Sequence, residues 1–275
     1  MLGGSTEARK AVVLARGLGT RMRRADPDAA LDERQAAVAA SGMKGMMPVG
    51  RPFLDYAISA IADAGYHEVC LVIGPEHGAV REYYGGEVKP QRVSIHFAEQ
   101  AEPLGTADAV LAAQGFAAGE PFLVVNSDNY YPPNVLRMLR EAGGMCLPGF
   151  NPVALATEGN VPAERIAQFA LVEMSASGTL QRIVEKPNDE TLAAWKGEPL
   201  VSMNCWMFTH EIFEACRSIE PSSRGELELP HAVQYLVDAG VEIRVLPVSA
   251  AVLDLSSRSD IAAVKDRLSK VSVQL

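Results

Sequence analysis

The sequence predicts an α/β fold in which a mostly parallel β-sheet carries helices on both faces. Over residues 10–126, short apolar runs of strand length alternate with segments whose apolar residues recur at helical spacing. The runs end in glycine, proline, asparagine or aspartate, which are common turn residues. Strands that alternate with helices in this way form parallel β-α-β units. After about residue 150 the β-type runs are shorter, which predicts a more mixed second half.

The first predicted element is a strand at residues 10–15, an apolar run typical of a strand buried on both faces. Residues 54–62 then show helical spacing up to Gly65, and a second buried strand follows at residues 69–73. Further strands are predicted at 93–97, 122–125, 169–173, 180–184, 201–208 and 241–246, and further helices at 106–114, 226–239 and 259–270. Because no linker or repeat interrupts this series, we expect one domain over residues 1–275 with lobes at about 10–150 and 151–275.

Composition and charge exclude several classes of protein. The 275 residues include 25 Lys and Arg against 34 Asp and Glu, a formal charge of −9, and no basic run supplies the positive stripe of a nucleic-acid binder. The apolar runs are far shorter than the roughly 20 residues of a membrane span. Residues 1–10 also lack the apolar core of a signal peptide. We therefore expect a cytoplasmic protein that binds neither nucleic acid nor membrane, with its four scattered cysteines reduced and mostly buried.

A glycine-rich loop, Leu-Ala-Arg-Gly-Leu-Gly-Thr-Arg, follows the first predicted strand. Gly17 and Gly19 allow backbone N–H groups to approach an anion closely, and Arg16 and Arg21 add positive charge beside them. The loop is either a polyphosphate cradle or a structural turn. It is not the dinucleotide fingerprint, which requires glycine where Met22 stands, and the chain has no G-x-x-x-x-G-K-[ST] loop.

Further segments carry side chains that suit phosphate or metal chemistry, although each also has a structural explanation. Lys44 is either a phosphate ligand or a surface lysine beside the core, and Gln100 either reads a base edge or caps a turn. Asp128 follows the predicted strand at 122–125, and Asp254 lies at a predicted strand end within residues 251–255. Carboxylates at strand ends suit Mg²⁺ shared with substrate phosphates, yet aspartate is also common in turns. In the Glu-Lys-Pro segment at 185–187, the glutamate can accept hydrogen bonds from hydroxyl groups and the lysine can bind a phosphate.

Taken together and in order, these motifs resemble the sugar-nucleotidyltransferase family, the NDP-sugar pyrophosphorylases. The series runs from Gly-x-Gly-Thr-Arg through Lys before Pro-Val-Gly-Arg-Pro, Gln with Gly-Thr-Ala, a strand-end Asp and Glu-Lys-Pro to a final Leu-Asp, over about residues 10–265. The resemblance implies a three-layer α/β/α sandwich with a mixed, mostly parallel central sheet, Rossmann-like and of the GT-A type. It also implies an enzyme that joins an NTP to a sugar 1-phosphate with Mg²⁺ and releases pyrophosphate.

The resemblance also implies a role for each matched residue. The catalytic residues are Arg21 and Lys44; the nucleotide-binding residues are Leu14, Ala15, Gly17, Gly19, Thr20, Gln100, Pro103, Gly105 and Thr106; the acceptor-binding residues are Asn129, Ala170, Glu185, Lys186 and Asn204; and the Mg²⁺ ligands are Asp128 and Asp254. The chemistry requires no protein nucleophile, because an anionic sugar-phosphate oxygen attacks the α-phosphorus directly. None of the five histidines lies in a matched motif, so we expect structural or surface roles for them.

The sequence leaves the substrates open. Gln100 and the turn after it resemble uridylyl- and thymidylyltransferases more than guanylyltransferases, so UTP or dTTP is favoured. The alternatives are another phosphorylated acceptor, such as phosphocholine with CTP, and a non-catalytic NDP-sugar-binding protein. A glycosyltransferase of related architecture would require an Asp-x-Asp metal motif after the strand, and Asn126-Ser-Asp128 supplies only the second aspartate. The resemblance suggests a homo-oligomer, a dimer or tetramer. Because few residues follow residue 270, we expect no appended acyltransferase domain.

The chain departs from the family pattern at several positions. Arg16 replaces a small residue in the glycine loop. The segment between the matched arginine and lysine is longer than typical, and the insertion at 25–42 is a candidate lid. Ala170 and Asn204 stand where the family often has glycine, which makes recognition of the sugar the least determined feature.

Overall fold

The computed structural model describes residues 7–195 and 198–275, and a ten-stranded sheet forms its centre. The strands are β1 (Lys10–Leu14), β2 (Glu68–Ile73), β3 (Ser94–Glu99), β4 (Phe122–Asn126), β5 (Asn129–Tyr130), β6 (Cys146–Phe150), β7 (Ala170–Met174), β8 (Leu180–Val184), β9 (Leu200–Ser202), β10 (Cys205–Phe208), β11 (Arg244–Val248) and β12 (Leu253–Asp254). The helices are α1 (Thr20–Arg23), α2 (Glu33–Ser41), α3 (Phe53–Asp63), α4 (Gly78–Glu82), α5 (Thr106–Ala112), α6 (Gln114–Ala117), α7 (Pro133–Ala142), α8 (Pro152–Thr157), α9 (Ala163–Ile166), α10 (Asp189–Ala194), α11 (Glu211–Ser218), α12 (Leu229–Asp238) and α13 (Asp260–Leu268).

The predicted mixed sheet is confirmed. Its strand order is β3-β2-β1-β4-β10-β6-β9-β7-β8, with β11 paired to β6. The strands β1 to β4 pair in parallel, as do β6 and β11. The strand β10 runs antiparallel to β4 and β6, and β7 runs antiparallel to β8 and β9. The N-terminal half of the chain therefore supplies a continuous group of four parallel strands, and β6 with β11 adds one further parallel pair.

Two apolar cores cover the two faces of the sheet, which confirms the three-layer arrangement. Successive side chains of a strand point to opposite faces, so Val13 of β1 packs with α3 and α7 while Val12 packs with α5, α11 and α12. All five residues of β1 are buried. This two-sided burial explains why β1 is an unbroken apolar run rather than an alternating one.

The carboxyl ends of the central parallel strands meet at one edge of the sheet. Leu14 of β1 is in register with Asn126 of β4, and the Ser127 backbone N–H donates to the Leu14 carbonyl over 3.0 Å. Next to this edge, β5 and β12 form a two-stranded sheet in which Asn129 pairs with Asp254. Chain segments that are far apart in sequence therefore converge at the edge where ligands of open α/β sheets bind.

The structure corrects three predicted elements, of which the strand predicted at 241–246 begins only at Arg244, as β11. The strand predicted at 201–208 is divided into β9 and β10, because Asn204 adopts a left-handed conformation (φ 54°) between them. Both halves pair with β6, but β9 also pairs with β7 whereas β10 also pairs with β4. The helix predicted at 226–239 begins only at Leu229. The backbone of Leu227 instead donates to the Leu104 carbonyl and accepts from the Ala107 N–H, which holds it outside the helix.

The insertion at 25–42 contains one regular element, α2. Its N-terminus has a capping box, in which the Asp32 side chain accepts from the Gln35 backbone N–H and the Gln35 side chain accepts from the Asp32 backbone N–H. Ala39 of α2 is buried in a third apolar cluster. The role of this segment as a lid stays a prediction.

Among the described residues, no helix is long and apolar enough to cross a membrane. Cys70, Cys146, Cys205 and Cys216 are buried and free, as predicted. Burial raises the pKa of the Cys70, Cys146 and Cys216 thiols to about 12, so these thiols are uncharged at neutral pH. The expectation about a signal peptide depends in part on residues 1–6, which lie outside the described residues, as do residues 196 and 197.

Candidate active site

A cavity of about 310 Å³ opens at the carboxyl ends of β1 and β4. The structure brings together in its wall the predicted residues Leu14, Ala15, Gly17, Gly19, Thr20, Arg21, Lys44, Gln100, Pro103, Gly105, Thr106 and Asp128. Seven residues to which the family resemblance assigns no role also line it: Arg16, Leu18, Gly42, Ala109, Asn126, Ser127 and Glu226. Histidine is absent from this lining, within the part of the chain that the structure describes.

The glycine loop forms one side of the cavity, and its shape requires glycine at residue 19. Gly19 adopts φ 61°, and a Cβ atom there would lie 2.3 Å from the carbonyl oxygen of Gly42. The loop therefore packs directly against the end of α2, and α1 begins immediately after it. Arg21 of α1 is exposed, with Nη1 donating to Gln168 Oε1 over 3.5 Å. Its guanidinium remains accessible to an anion in the cavity.

Lys44 lies in a 3₁₀ turn (Lys44–Met46) and Asp128 follows β4. The Lys44 Nζ donates to Asp128 Oδ2 over 2.8 Å, and both side chains are largely buried, with exposed fractions of 17% and 22%. A cation and a carboxylate therefore meet in the cavity beside the glycine loop. Because a charge-assisted bond in a partly desolvated position is stronger than one in water, the pair fixes the position of both groups.

Gln100 lies at the other end of the cavity, with its hydrogen bonds already partly committed. Its Nε2 donates to the Gly105 carbonyl over 3.0 Å and to Asp108 Oδ2 over 2.8 Å. Both partners are acceptors, which assigns the amide nitrogen to this side. The amide has two N–H groups and both are used. Only the carbonyl oxygen of Gln100 remains available, and it can act only as an acceptor.

Asp254 is buried beside the cavity rather than in its lining. Its Oδ1 accepts from Asn129 Nδ2 over 3.0 Å, its Oδ2 accepts from Ser256 Oγ over 2.7 Å, and the Arg165 Nη2 also donates to Oδ2. Burial raises the pKa of the Asp254 carboxyl, and the negative charge of Asp128 raises it further. The two carboxylates are therefore close enough to repel each other.

The donor set fits a magnesium ion shared with a substrate. Mg²⁺ is usually held by one or two carboxylates together with substrate phosphate oxygens and water. Asp128 and Asp254 carry carboxylate oxygens on adjoining segments, since the Leu255 N–H donates to the Asp128 carbonyl over 2.8 Å. A divalent cation between them would relieve their repulsion. Their assignment as Mg²⁺ ligands remains a prediction.

The predicted acceptor-binding residues lie outside the cavity lining. Asn129 donates to Asp254, and Ala170 is buried at the start of β7. Lys186 is exposed and, like Asn204, has a positive φ. The structure therefore does not bring these residues into the same wall as the glycine loop.

Glu185 is mostly buried at the end of β8. Burial, followed by the negative charge of Glu228, raises the pKa of its carboxyl to about 7, whereas Arg224 lowers it. The group therefore carries only part of its charge at neutral pH. A carboxyl of this kind both donates and accepts hydrogen bonds, which suits a partner rich in hydroxyl groups.

Sequence reasoning missed two charged residues at the site. Glu226 lines the cavity at the end that holds Gln100, because Leu227 after it contacts the segment around Gly105. The sequence predicts that Glu226 lies in the helix at 226–239, but α12 begins only at Leu229. Arg165 contacts Asp254 from α9, across 89 positions of sequence. No local pattern marks either residue, since each depends on a contact between distant segments.

The sequence of the chain is similar to those of known proteins. Residues 10–250 match the family described as nucleotidyl transferase. The chain is 30% identical over 263 residues to a glucose-1-phosphate thymidylyltransferase of Streptomyces antibioticus, covering 93% of this chain and 65% of that protein. It is 27% identical to the UTP–glucose-1-phosphate uridylyltransferase AglF of Haloferax volcanii, covering 96% of this chain and 98% of the relative.

Solved structures support the fold. A UDP-glucose pyrophosphorylase complexed with UDP-glucose superimposes with a TM-score of 0.74 at 19% identity, covering 96% of this chain and all of that one. The chain spans about 65% of the length of the two Streptomyces thymidylyltransferases that it matches. Because the family match extends over β1 to β11 and includes every segment of the cavity wall, the chain belongs to the nucleotidyl transferase family.

Proposed function

We propose that this chain transfers a nucleotidyl group from UTP or dTTP to a sugar 1-phosphate, forming an NDP-sugar and pyrophosphate. One observation carries the proposal: a single cavity joins the glycine loop, Arg21, Lys44 and Asp128 at one end to Gln100 and Gly105 at the other. The first group suits a triphosphate and the second suits a base. The named activities of the Streptomyces and Haloferax relatives support the same reaction, with glucose 1-phosphate as the acceptor to test first.

The hydrogen bonds of Gln100 support uracil or thymine as the base. Its Nε2 is committed to Gly105 and Asp108, so the free Oε1 accepts a hydrogen bond. Uracil and thymine carry an N–H at ring position 3, whereas cytosine has an acceptor there. A cytosine in the same position would place two acceptors against each other, which costs free energy when both are buried. This argument disfavours CTP, and with it the phosphocholine alternative.

The catalytic residues act by positioning and by charge. The acceptor phosphate oxygen is anionic and attacks the α-phosphorus in line, so the protein needs no nucleophile. Arg21 and Lys44 offset the negative charge that develops on the departing pyrophosphate. Asp128 and Asp254 would hold Mg²⁺, which supplies further neutralisation of phosphate oxygens when bound. Glu185 and Lys186 are the proposed contacts for the hydroxyl groups and the phosphate of the acceptor.

The proposal is tested by measuring pyrophosphate release from the purified full chain with Mg²⁺. UTP, dTTP, CTP, ATP and GTP are each paired with glucose 1-phosphate, with other sugar 1-phosphates and with phosphocholine. We expect release with UTP or dTTP and a sugar 1-phosphate, and its loss when a chelator is added. Release only with CTP and phosphocholine would contradict the proposal. Absence of release with every pair, while a nucleotide still raises the melting temperature, would instead indicate a binding protein.

A further inference from the structure

Arg165 makes a contact that the proposed reaction does not require. It comes from α9, and its side chain is only 16% exposed. Its Nη2 donates to Asp254 Oδ2, and its Nη1 donates to Asp260 Oδ1 over 2.8 Å. A guanidinium therefore occupies the side of a carboxylate that is also a proposed ligand of the divalent cation.

The hydrogen bonds of Asp254 leave little room for a second cation. An ionised carboxylate offers about four lone-pair positions. Both positions of Oδ2 are used, one by Ser256 and one by Arg165, and Asn129 uses one position of Oδ1. One position of Oδ1 is left over, so a metal ion that binds Asp254 through Oδ2, alone or together with Oδ1, must replace a donor. Arg165 is the one of these three donors that carries positive charge, so a divalent cation also repels it.

Asp260 is a second carboxylate that holds the Arg165 side chain independently of Asp254. Asp260 Oδ1 accepts from Arg165, while its Oδ2 accepts from the backbone N–H groups of Ser256 and Ser257. This bonding fixes the Asp260 carboxylate at the N-terminus of α13. The Nε of Arg165 is buried without a hydrogen-bond partner among the described residues. Among the described residues, the hydrogen bonds of the guanidinium therefore go to two carboxylates, and the bond to Asp260 does not depend on the bond to Asp254.

We propose that Arg165 competes with the divalent cation for Asp254 and thereby weakens the affinity of the chain for that cation. Arg165 is then a positioning residue that acts through Asp254. The inference rests on the proposed function in one respect, the assignment of Asp128 and Asp254 as ligands. Removal of Arg165 is expected to strengthen cation binding, whereas general disruption of the site would weaken it, so the two causes can be told apart.

The test uses Mn²⁺ as the probe and the purified full chain without nucleotide at pH 7.5. Electron paramagnetic resonance measures free Mn²⁺ during titration of the unmodified chain, Arg165→Gln and Arg165→Lys. We expect Kd to fall by about tenfold or more in Arg165→Gln, because the repulsion between the guanidinium and the divalent cation is removed. The fall is smaller in Arg165→Lys, because an ammonium retains the charge but lacks the second arm of the guanidinium. The matched control is Arg217→Gln, an exposed residue of α11, which leaves Kd unchanged.

A double variant assigns the effect to Asp254. In Arg165→Gln with Asp254→Asn, the gain in affinity disappears if the competition takes place at this carboxylate. An unchanged or raised Kd in Arg165→Gln, with its melting temperature retained, would overturn the inference, as would a gain that persists in the double variant. Pyrophosphate release is measured in parallel on the unmodified chain. Release by the unmodified chain, together with an unchanged Kd in Arg165→Gln, rejects only the competition. Absence of both release and Mn²⁺ binding in the unmodified chain rejects the proposed function as well.

Discussion

The Nζ of Lys44 and the Oδ2 of Asp128, 84 positions apart in sequence, form a 2.8 Å ion pair in the candidate active site. The pair links the 3₁₀ turn that precedes α3 to the end of β4. Lys44 is a predicted catalytic residue and Asp128 is a predicted Mg²⁺ ligand of the same reaction. Their contact means that removal of either residue leaves the other partly buried and uncompensated.

Asp128→Asn is expected to lower kcat for pyrophosphate release by about 10²- to 10³-fold, the size of effect that a single charge-stabilising group has in other enzymes. The amide keeps the size of the side chain but cannot hold a divalent cation in the same way. Steady-state kinetics at saturating Mg²⁺ measures the effect, and the melting temperature reports on the fold. Asp63→Asn, at an exposed ion pair with Arg92, is the control. Equal turnover in Asp128→Asn and the unmodified chain would reject the metal assignment.

Gln100→Ala is expected to reduce discrimination between UTP and CTP. The substitution removes the acceptor oxygen and also releases Gly105 and Asp108 from their shared donor. We expect the ratio of kcat/KM for the two nucleotides to fall by about tenfold, the equivalent of one hydrogen bond. Gln91→Ala provides the control at an exposed amide. If the order of preference among the nucleotides stays unchanged in Gln100→Ala, this residue does not read the base.

Gly105→Ala is expected to lower stability and to raise KM for the nucleotide. Gly105 has φ 120°, and an added Cβ would lie 2.5 Å from the Leu227 carbonyl oxygen. The segment from residue 100 to 109 must then move away from Leu227, at a cost of about 1–3 kcal/mol. Thermal unfolding and nucleotide titration measure the two effects. Gly115→Ala is the matched control, because nothing lies within 4 Å of its Cβ position. Equal behaviour of the two variants would contradict the proposed close contact.

Glu185→Gln is expected to stabilise the protein at high pH. Because the pKa of Glu185 in the folded state is about 7, above its ordinary value of 4.5, the folded chain binds the proton more tightly than the unfolded chain. The stability of the unmodified protein therefore falls as pH rises from 4.5 to 7. The neutral amide has no such loss, so the advantage of the variant grows from near zero below pH 4.5 to at most about 3 kcal/mol above pH 7.

Denaturant unfolding of both proteins between pH 4 and pH 8 measures this difference. Glu173→Gln, at an exposed position of β7 paired with Arg182, is the control. A difference in stability that does not change over this pH range would show that Glu185 is not titrating near pH 7.

The parallel half of the fold and the position of the cavity can be predicted from the sequence, because both depend on features that are local in the sequence. The strand β1 is buried on both faces and β4 lies beside it, so each is an apolar run that ends where the polar residues begin. The glycine loop and Asp128 follow those strands directly. Their place at the edge of the sheet therefore follows from the strand ends.

The remaining features depend on contacts between distant segments. Asn204 interrupts a run that is uniformly β-type in sequence, because the first half pairs with β7 and the second half pairs with β4 on the other side of β6. Leu227 stays outside α12 because its backbone bonds the segment around Gly105. Arg165 lies in a four-residue helix with no pattern of its own. Only the assembled fold brings its side chain to Asp254.

The most direct test of the central claim is phosphorus-31 NMR of the full chain with UTP, glucose 1-phosphate and Mg²⁺. The account predicts that the α-phosphorus of UTP and the phosphorus of glucose 1-phosphate become the two signals of one diphosphate ester, with one pyrophosphate formed for each ester. Parallel reactions with dTTP identify the preferred base. Orthophosphate alone, or an unchanged spectrum while UTP still raises the melting temperature, would contradict nucleotidyl transfer to a sugar phosphate as the function of this site.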